Sequence, residues 1–242
     1  MCTVSFIPRG SGYVLAMNRD ELLSRGAAHP PRRMQVSGVS AIAPTELNTS
    51  GTWIAANDHG ITLALLNRNG KQDDHAAYRS RGEIIRQLIE CTNSLEYRKR
   101  IEQLAVNQFR SFLLIGVFPA ERVIFESPWQ IELRLQNLSW ERRHWFSSGL
   151  SDDRATLIRS GICDLHALTP DDELPARLRD LHAQHHSDSA FGICVHRPDA
   201  ATVRYTEIAW DSDQLTMHYK DGYPCGSSPL QEHVVMKLST AP

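Results

Sequence analysis

Apolar and polar residues alternate with a period of two along some stretches of this chain and recur at helical spacing along others. The two kinds of stretch come in blocks. At the start, two runs rich in β-branched and aromatic residues, 2–7 and 13–19, flank Gly10-Ser11. A Gly-Ser pair is a permitted two-residue hairpin loop. If Arg9 faces Gly12, the pairing continues through Ile7 with Val14, Phe6 with Leu15, Val4 with Met17 and Thr3 with Asn18, and it ends with Cys2 opposite Arg19. A slip of one residue would turn Cys2 to the other face. Residues 24–44, with Pro30-Pro31-Arg32-Arg33, read as an irregular connection into a short strand at 39–43. Residues 52–57 and 61–66 form a second hairpin about Asp58-His59-Gly60, and its far end delivers Asn67.

Helices follow. Ser80 with Glu83 reads as a capping box ahead of Ile84, Ile85, Leu88 and Ile89. Asn93 with Glu96 starts a second helix carrying Tyr97, Ile101 and Leu104. A further strand block covers 112–118, 122–126, 130–136 and 144–147, in which Ile131-Glu132-Leu133-Arg134-Leu135 alternates as a half-buried strand does. Helix returns after Ser151 with Ala155, Ile158, Ile162 and Leu165 on one side, and again near Leu174, Leu178 and Leu181, where Pro175 weakens the pattern. Strands at 191–197, 202–210 and 215–219 close the chain, with turns at Pro198-Asp199 and Asp211-Ser212. Segregated blocks of this kind predict an α+β fold of antiparallel sheets covered by helices, in a single domain spanning 1–242.

Composition narrows the function. The chain has 242 residues, 41% of them hydrophobic, enough for one substantial core. A net charge of −2 gives no general attraction to nucleic acid or to anionic membrane. No apolar run reaches the ~20 residues of a membrane-spanning helix and no signal peptide is visible, so a cytoplasmic location is expected. The five cysteines, Cys2, Cys91, Cys163, Cys194 and Cys225, are scattered without a CxxC, which predicts neither a disulfide framework nor a structural metal site.

Cys2 carries the most chemistry. Removal of Met1 would give it a free α-amine, a base of ordinary pKa ~7.7–8.0 beside a thiol of ~8.5. Arg19 across the hairpin is expected to favour the thiolate, and Asp20 to hold the amine. The alternative is a small buried cysteine and an Arg-Asp pair closing a strand end. Asn67, at a strand end, offers a side-chain amide for an oxyanion; it also suits a plain turn ahead of Arg68-Asn69-Gly70.

Met-Cys at the start, with Asn18-Arg19-Asp20-Glu21 closing the second strand, resembles the NRDE family, also called the transport-and-Golgi-organisation family. Gly51-Thr52-Trp53, Gly60 with a strand ending in Asn67, Ser80-Arg81-Gly82-Glu83 and Ser148-Gly149-Leu150-Ser151 extend the match. That family is similar in layout to the cysteine-type N-terminal-nucleophile (Ntn) hydrolases, the group of penicillin V acylase and bile salt hydrolase. The resemblance implies a four-layer αββα sandwich. It implies catalytic roles for Cys2, Arg19, Asp20 and Asn67, and substrate contacts for Asn18, Trp53, Arg81 and Asp152. Two departures count against acylase activity. Asp152 stands where family members often carry Asn, and Gly192-Ile193-Cys194 replaces a usual Gly-Thr-Arg.

Other constellations are weaker. His182, His185 and His186 share a helical face but end a polar helix, and they read as solvated rather than as metal or haem ligands. Arg79, Arg81 and Arg86 beside Tyr78 read as a helix start and its outer face. No nucleophile elbow and no phosphate loop is present. Two functions from different classes remain. One is an amidohydrolase acting on a linear C–N bond, with no cofactor required. The other is a non-enzymatic small-molecule carrier, with haem as candidate ligand because members of the resembled family are implicated in haem trafficking.

Overall fold

The first hairpin forms in the expected register: β1 (Cys2–Arg9) runs antiparallel to β2 (Gly12–Leu22), with Cys2 opposite Arg19 and Val4 opposite Met17. The computed structural model describes residues 2–10, 12–25, 27–47, 49–69, 78–166, 168–169, 171–211 and 213–237. Met1, Ser11, Gly70 and Ser212 lie outside the described residues.

In chain order there follow β3 (Ala28–Val36), β4 (Val39–Glu46), β5 (Ile54–Asn57), β6 (Thr62–Asn67), α1 (Gly82–Leu88), α2 (Ser94–Glu102), β7 (Phe112–Phe118), β8 (Val123–Trp129), β9 (Gln136–Leu138) and β10 (Arg143–Ser147). Then come α3 (Asp152–Asp164), α4 (Leu174–His182), β11 (Ala200–Trp210), β12 (Gln214–Asp221) and β13 (Gln231–Lys237). The strands make a six-stranded sheet ordered β10-β1-β2-β11-β12-β13 and a seven-stranded sheet ordered β3-β4-β5-β6-β7-β8-β9, with every pairing antiparallel.

Period-two alternation decides the layers. Val4, Phe6, Leu15 and Met17 point from the first sheet onto Ile54, Ala64, Leu66 and Ile115 of the second, and form the central core. The opposite face of the first sheet, with Ile7, Val14 and Ala16, is covered by Cys163 of α3 and by Leu174, Leu178 and Leu181 of α4. The opposite face of the second, with Ala55, Leu63 and Leu65, is covered by Ile84, Ile85 and Leu88 of α1 and Tyr97 and Ile101 of α2. The result is the four-layer αββα sandwich. Among the described residues no helix is long and apolar enough to cross a membrane.

Local expectations fail where a partner elsewhere in the chain overrides the local signal. The proline-rich stretch is not irregular: Pro30 and Pro31 lie within β3, an edge strand whose register shifts between His29 and Arg32. An edge is where a strand tolerates proline. The Ser80–Glu83 capping box does not form. Arg81 is the N-cap, without a side-chain bond, and the Glu83 carboxylate is taken by Arg79. Asn93 does cap α2, accepting from the Glu96 N–H at 2.9 Å. The alternation at 131–135 makes no regular strand. Ile131 is 91% exposed, while Leu133 and Leu135 pack on the outer core.

The inner face of α3 is Ala155, Arg159 and Cys163, and Leu165 is 86% exposed. α4 forms as expected, with Pro175 in its first turn, where proline is tolerated. Residues 191–197 contribute only a single bridge, His196 to Ala201, rather than a strand. The histidines are not one solvated face. His182 is fully buried, Nδ1 3.0 Å from Asn18 Oδ1 and Nε2 2.9 Å from Ser5 Oγ.

Candidate active site

Register and the packing of the two sheets bring the site together. Cys2 starts β1 between Arg19 of β2 and Ser147 of β10, and its side chain joins the core between the sheets. Asn67 ends β6 in the facing sheet. These ends meet the start of α1 around a narrow recess lined by Cys2, Arg19, Asp20, Trp53, Asn67 and Arg81, among others. The recess holds about 410 Å³, solvent at its mouth included. Two motifs distant in sequence build its wall by close backbone contact. A Cβ on Gly82 would lie 2.7 Å from the Thr52 nitrogen and 2.8 Å from the Gly51 Cα, so only glycine lets Ser80-Arg81-Gly82 lie against Gly51-Thr52-Trp53.

Arg19 has partners besides Cys2. Its guanidinium lies 4.3 Å over the Trp53 ring, 3.2 Å from Glu21 and in direct contact with Glu46. Glu21 and Glu46 also hold Arg25. Burial alone would raise the Glu21 carboxyl, but Arg19 and Arg25 hold it below the usual range. With its charge spread over two carboxylates, Arg19 is a weak partner for the thiol. Burial raises the Cys2 thiol above its ordinary pKa, and the amino terminus and Arg19 offset this only in part, against Asp20 and Glu21. Arg19 does favour the thiolate, as expected, but burial outweighs it: near neutrality the thiol keeps its proton and needs a base to remove it.

Asp20 faces the other side of β2, where it meets a residue the sequence reading missed. Arg159, fully buried on α3, donates from Nη2 to Asp20 Oδ2 at 3.1 Å, and from Nη1 to Thr3 Oγ1 at 2.8 Å and to the Cys2 carbonyl at 3.2 Å. Thr202 Oγ1 donates to Asp20 Oδ1 at 2.6 Å. A buried carboxylate and a buried guanidinium thus compensate each other beneath the strand that carries Cys2.

The other expected residues divide. Asn67 and Arg81 line the recess, and the Asn67 side-chain amide has no hydrogen-bond partner among the described residues. Arg81 donates to the Ser111 carbonyl at 2.8 Å. Burial lowers its pKa to about 10, which leaves it cationic at neutral pH, and no described carboxylate lies within ion-pair distance. Trp53 Nε1 is buried without an acceptor among the described residues.

Asn18 is not at the recess. Its amide donates to the His182 and Ile193 carbonyls at 2.9 Å each and its oxygen faces His182, so its hydrogen bonding is taken up in tying α4 to the sheet. Asp152 accepts from the Ser148 N–H at 2.7 Å and the Asn69 N–H at 3.3 Å, and lines a neighbouring basin with Arg68. Glu46 and Arg25 were missed as well. Neither gave a sequence signal, since the four residues from Glu21 to Arg25 run off the end of a strand and not along a helix.

Known structures share this architecture. A cysteine-to-alanine mutant of conjugated bile acid hydrolase from Clostridium perfringens aligns with TM-score 0.52 and 9% identity, over 100% of this chain and 99% of that one. An arginine-to-leucine variant of the same hydrolase gives 0.51 and 9%, over 100% and 99%. The Caenorhabditis elegans orthologue of N-acylethanolamine-hydrolyzing acid amidase gives 0.58 and 10%, over 86% and 92%. At such identities the likeness shows the fold, that of Ntn hydrolases. No curated protein matches the chain. The family model described as Transport and Golgi organisation 2 matches residues 1–199, so the chain belongs to the Transport and Golgi organisation 2 (TANGO2) family.

Proposed function

We propose that the recess hydrolyses a linear amide, with Cys2 as an N-terminal nucleophile. The observation that carries this reading is the pairing of a buried thiol with a side-chain amide, Asn67, that has no hydrogen-bond partner among the described residues, in one narrow recess. The α-amine of Cys2, free once Met1 is removed, takes the thiol proton that burial holds on sulfur. The thiolate attacks the amide carbonyl carbon, and Asn67 Nδ2 donates to the oxyanion. Collapse of the intermediate breaks the C–N bond, the ammonium returns its proton to the leaving nitrogen, and water then hydrolyses the thioester to acid and free thiol. Arg81, cationic and without a carboxylate partner among the described residues, selects substrates with an anionic group near the scissile bond. The fold likeness to a conjugated bile acid hydrolase and to an N-acylethanolamine-hydrolyzing acid amidase supports amide chemistry.

The burial of Cys2, at 4% exposure, favours the other reading, a small-molecule carrier that never uses the thiol. For haem in that role, Met17 offers no ligand, because it is wholly buried between the sheets. A panel of N-acyl anilides with and without a terminal carboxylate, beside a haem titration, separates the two. The hydrolase releases aniline, prefers the carboxylated members, and loses turnover in Cys2→Ala and Asn67→Ala. Ligand binding by wild type and both variants, with no turnover by any, would favour the carrier.

A further inference from the structure

Three segments far apart in sequence meet beyond the end of α4: the chain leaving that helix, residues 191–197, and the turn after β12. Each brings nitrogen or sulfur ligands. His185, Cys194, His196 and Cys225 each offer one ligand atom, and the four atoms all lie within 4.8 Å of one another. Cys194 Sγ stands 3.4 Å from His196 Nε2 and 3.6 Å from Cys225 Sγ, and Cys225 Sγ stands 3.3 Å from His196 Nε2. Ligands at ~2.0–2.1 Å for nitrogen and ~2.3 Å for sulfur on a tetrahedron are separated by roughly 3.3–3.8 Å. Three edges of the cluster already have that length.

We propose that these two cysteines and two histidines form a site for a tetrahedral divalent cation, zinc first. Two thiolates with two imidazoles suit zinc over calcium or magnesium, which take oxygen ligands. Four protein ligands leave no open position, so the cation is structural rather than catalytic.

The surrounding backbone is shaped to hold the ligands. A Cβ on Gly192 would lie 3.0 Å from the His186 nitrogen and 3.4 Å from the His185 carbonyl carbon, so the two segments that carry His185 and Cys194 pass in tight backbone contact there. The Cys194 N–H donates to the Gln184 carbonyl at 2.8 Å. Lys220 Nζ donates to the Pro224 and Gly226 carbonyls at 3.0 and 2.6 Å, fixing the turn that presents Cys225. The His196 ring lies 4.5 Å from the Tyr223 ring.

The cation would also brace the recess. Between two of its ligands, the Val195 N–H donates to Thr202 Oγ1 at 2.8 Å, and that hydroxyl donates to Asp20, the partner of Arg159 beneath Cys2. The site nevertheless stands apart from the recess and its test is independent of amide turnover.

The full chain, purified without a metal-binding tag, is assayed for zinc by plasma mass spectrometry and titrated with cobalt(II). One zinc per chain is expected, with the intense visible bands of tetrahedral cobalt and a sulfur-to-cobalt charge-transfer band. Cys225→Ser and His185→Gln, both exposed positions that should spare the fold, should each lower cobalt affinity by more than the ~10–100-fold that loss of an outer-shell hydrogen bond costs. Cys225 should alkylate slowly in the zinc-loaded protein and quickly after chelation. Octahedral cobalt without a sulfur band, equal affinity in the two variants and wild type, or a Cys194–Cys225 disulfide formed in the presence of zinc would each overturn the proposal.

Discussion

Arg159 ties the nucleophile's strand to the helical layer. Arg159→Met should cost ~3–5 kcal/mol in urea unfolding, because it strands Asp20 as a buried unpaired charge. The double variant Arg159→Met with Asp20→Asn should recover part of that loss, which a role for Arg159 in packing alone would not allow. Asn67→Ala should lower kcat ~10²–10³-fold with little change in KM, measured on whichever anilide turns over fastest. Among single residues, Cys2 and Arg19 could be placed from the sequence because hairpin register is arithmetic, a two-residue loop fixing every opposed pair, and Asn67 because it ends the alternating strand that follows the second turn. Arg159 could not. A helical arginine is ordinarily solvated, and its carboxylate partner lies 139 residues away. The same blindness hid the contacts that draw Arg19 away from Cys2, since nothing local announces that Glu46 will reach it.

At the scale of elements, alternation found most strands, and it misled where burial and period part company. Residues 131–135 alternate, yet Ile131 faces solvent, since among the described residues no neighbouring strand pairs with them beyond the Trp129–Leu133 bridge. In α3 the apolar residues suggested one stripe while the packed stripe runs through Ala155, Arg159 and Cys163; a buried ion pair outweighed the exposure of Leu165. The start of α1 is set by Gly82 against Gly51 rather than by a capping box, so a single methyl group there disturbs both motifs. Gly82→Ala should destabilise by ~1–3 kcal/mol in a thermal melt. By displacing Arg81 it should also raise KM for carboxylated anilides more than for neutral ones. An equal change for both classes would separate Arg81 from substrate charge.

At the scale of the whole molecule, antiparallel sheets covered by helices follow from the blocks of period two and period 3.6, and the αββα order was legible only through the resemblance to the Ntn hydrolases. What joins the layers was not, because it is polar. Ser5 Oγ sits 2.8 Å from His144 Nδ1 and 2.9 Å from His182 Nε2, and His182 links on to Asn18. Burial lowers the pKa of His182 to about 3 and that of His144 to about 4. The unfolded chain takes up protons at these positions near pH ~6.5 and the folded chain does not. Their stabilisation is therefore complete above pH ~6.5 and is lost as pH falls from there toward 4, at up to ~1.4 kcal/mol per pH unit for each histidine. Urea unfolding across that window should show the fall, and His144→Asn should reduce its slope by about one proton. The claim on which the account turns is that Cys2, as the first residue, attacks an amide carbonyl. It is tested most directly by mass spectrometry of the N-terminal peptide from protein quenched while turning over a carboxylated N-acyl anilide. The account predicts a peptide that begins at Cys2 and carries the acyl group; a peptide that still begins at Met1, or turnover with no acyl group on Cys2 and undiminished in Cys2→Ala, would contradict it.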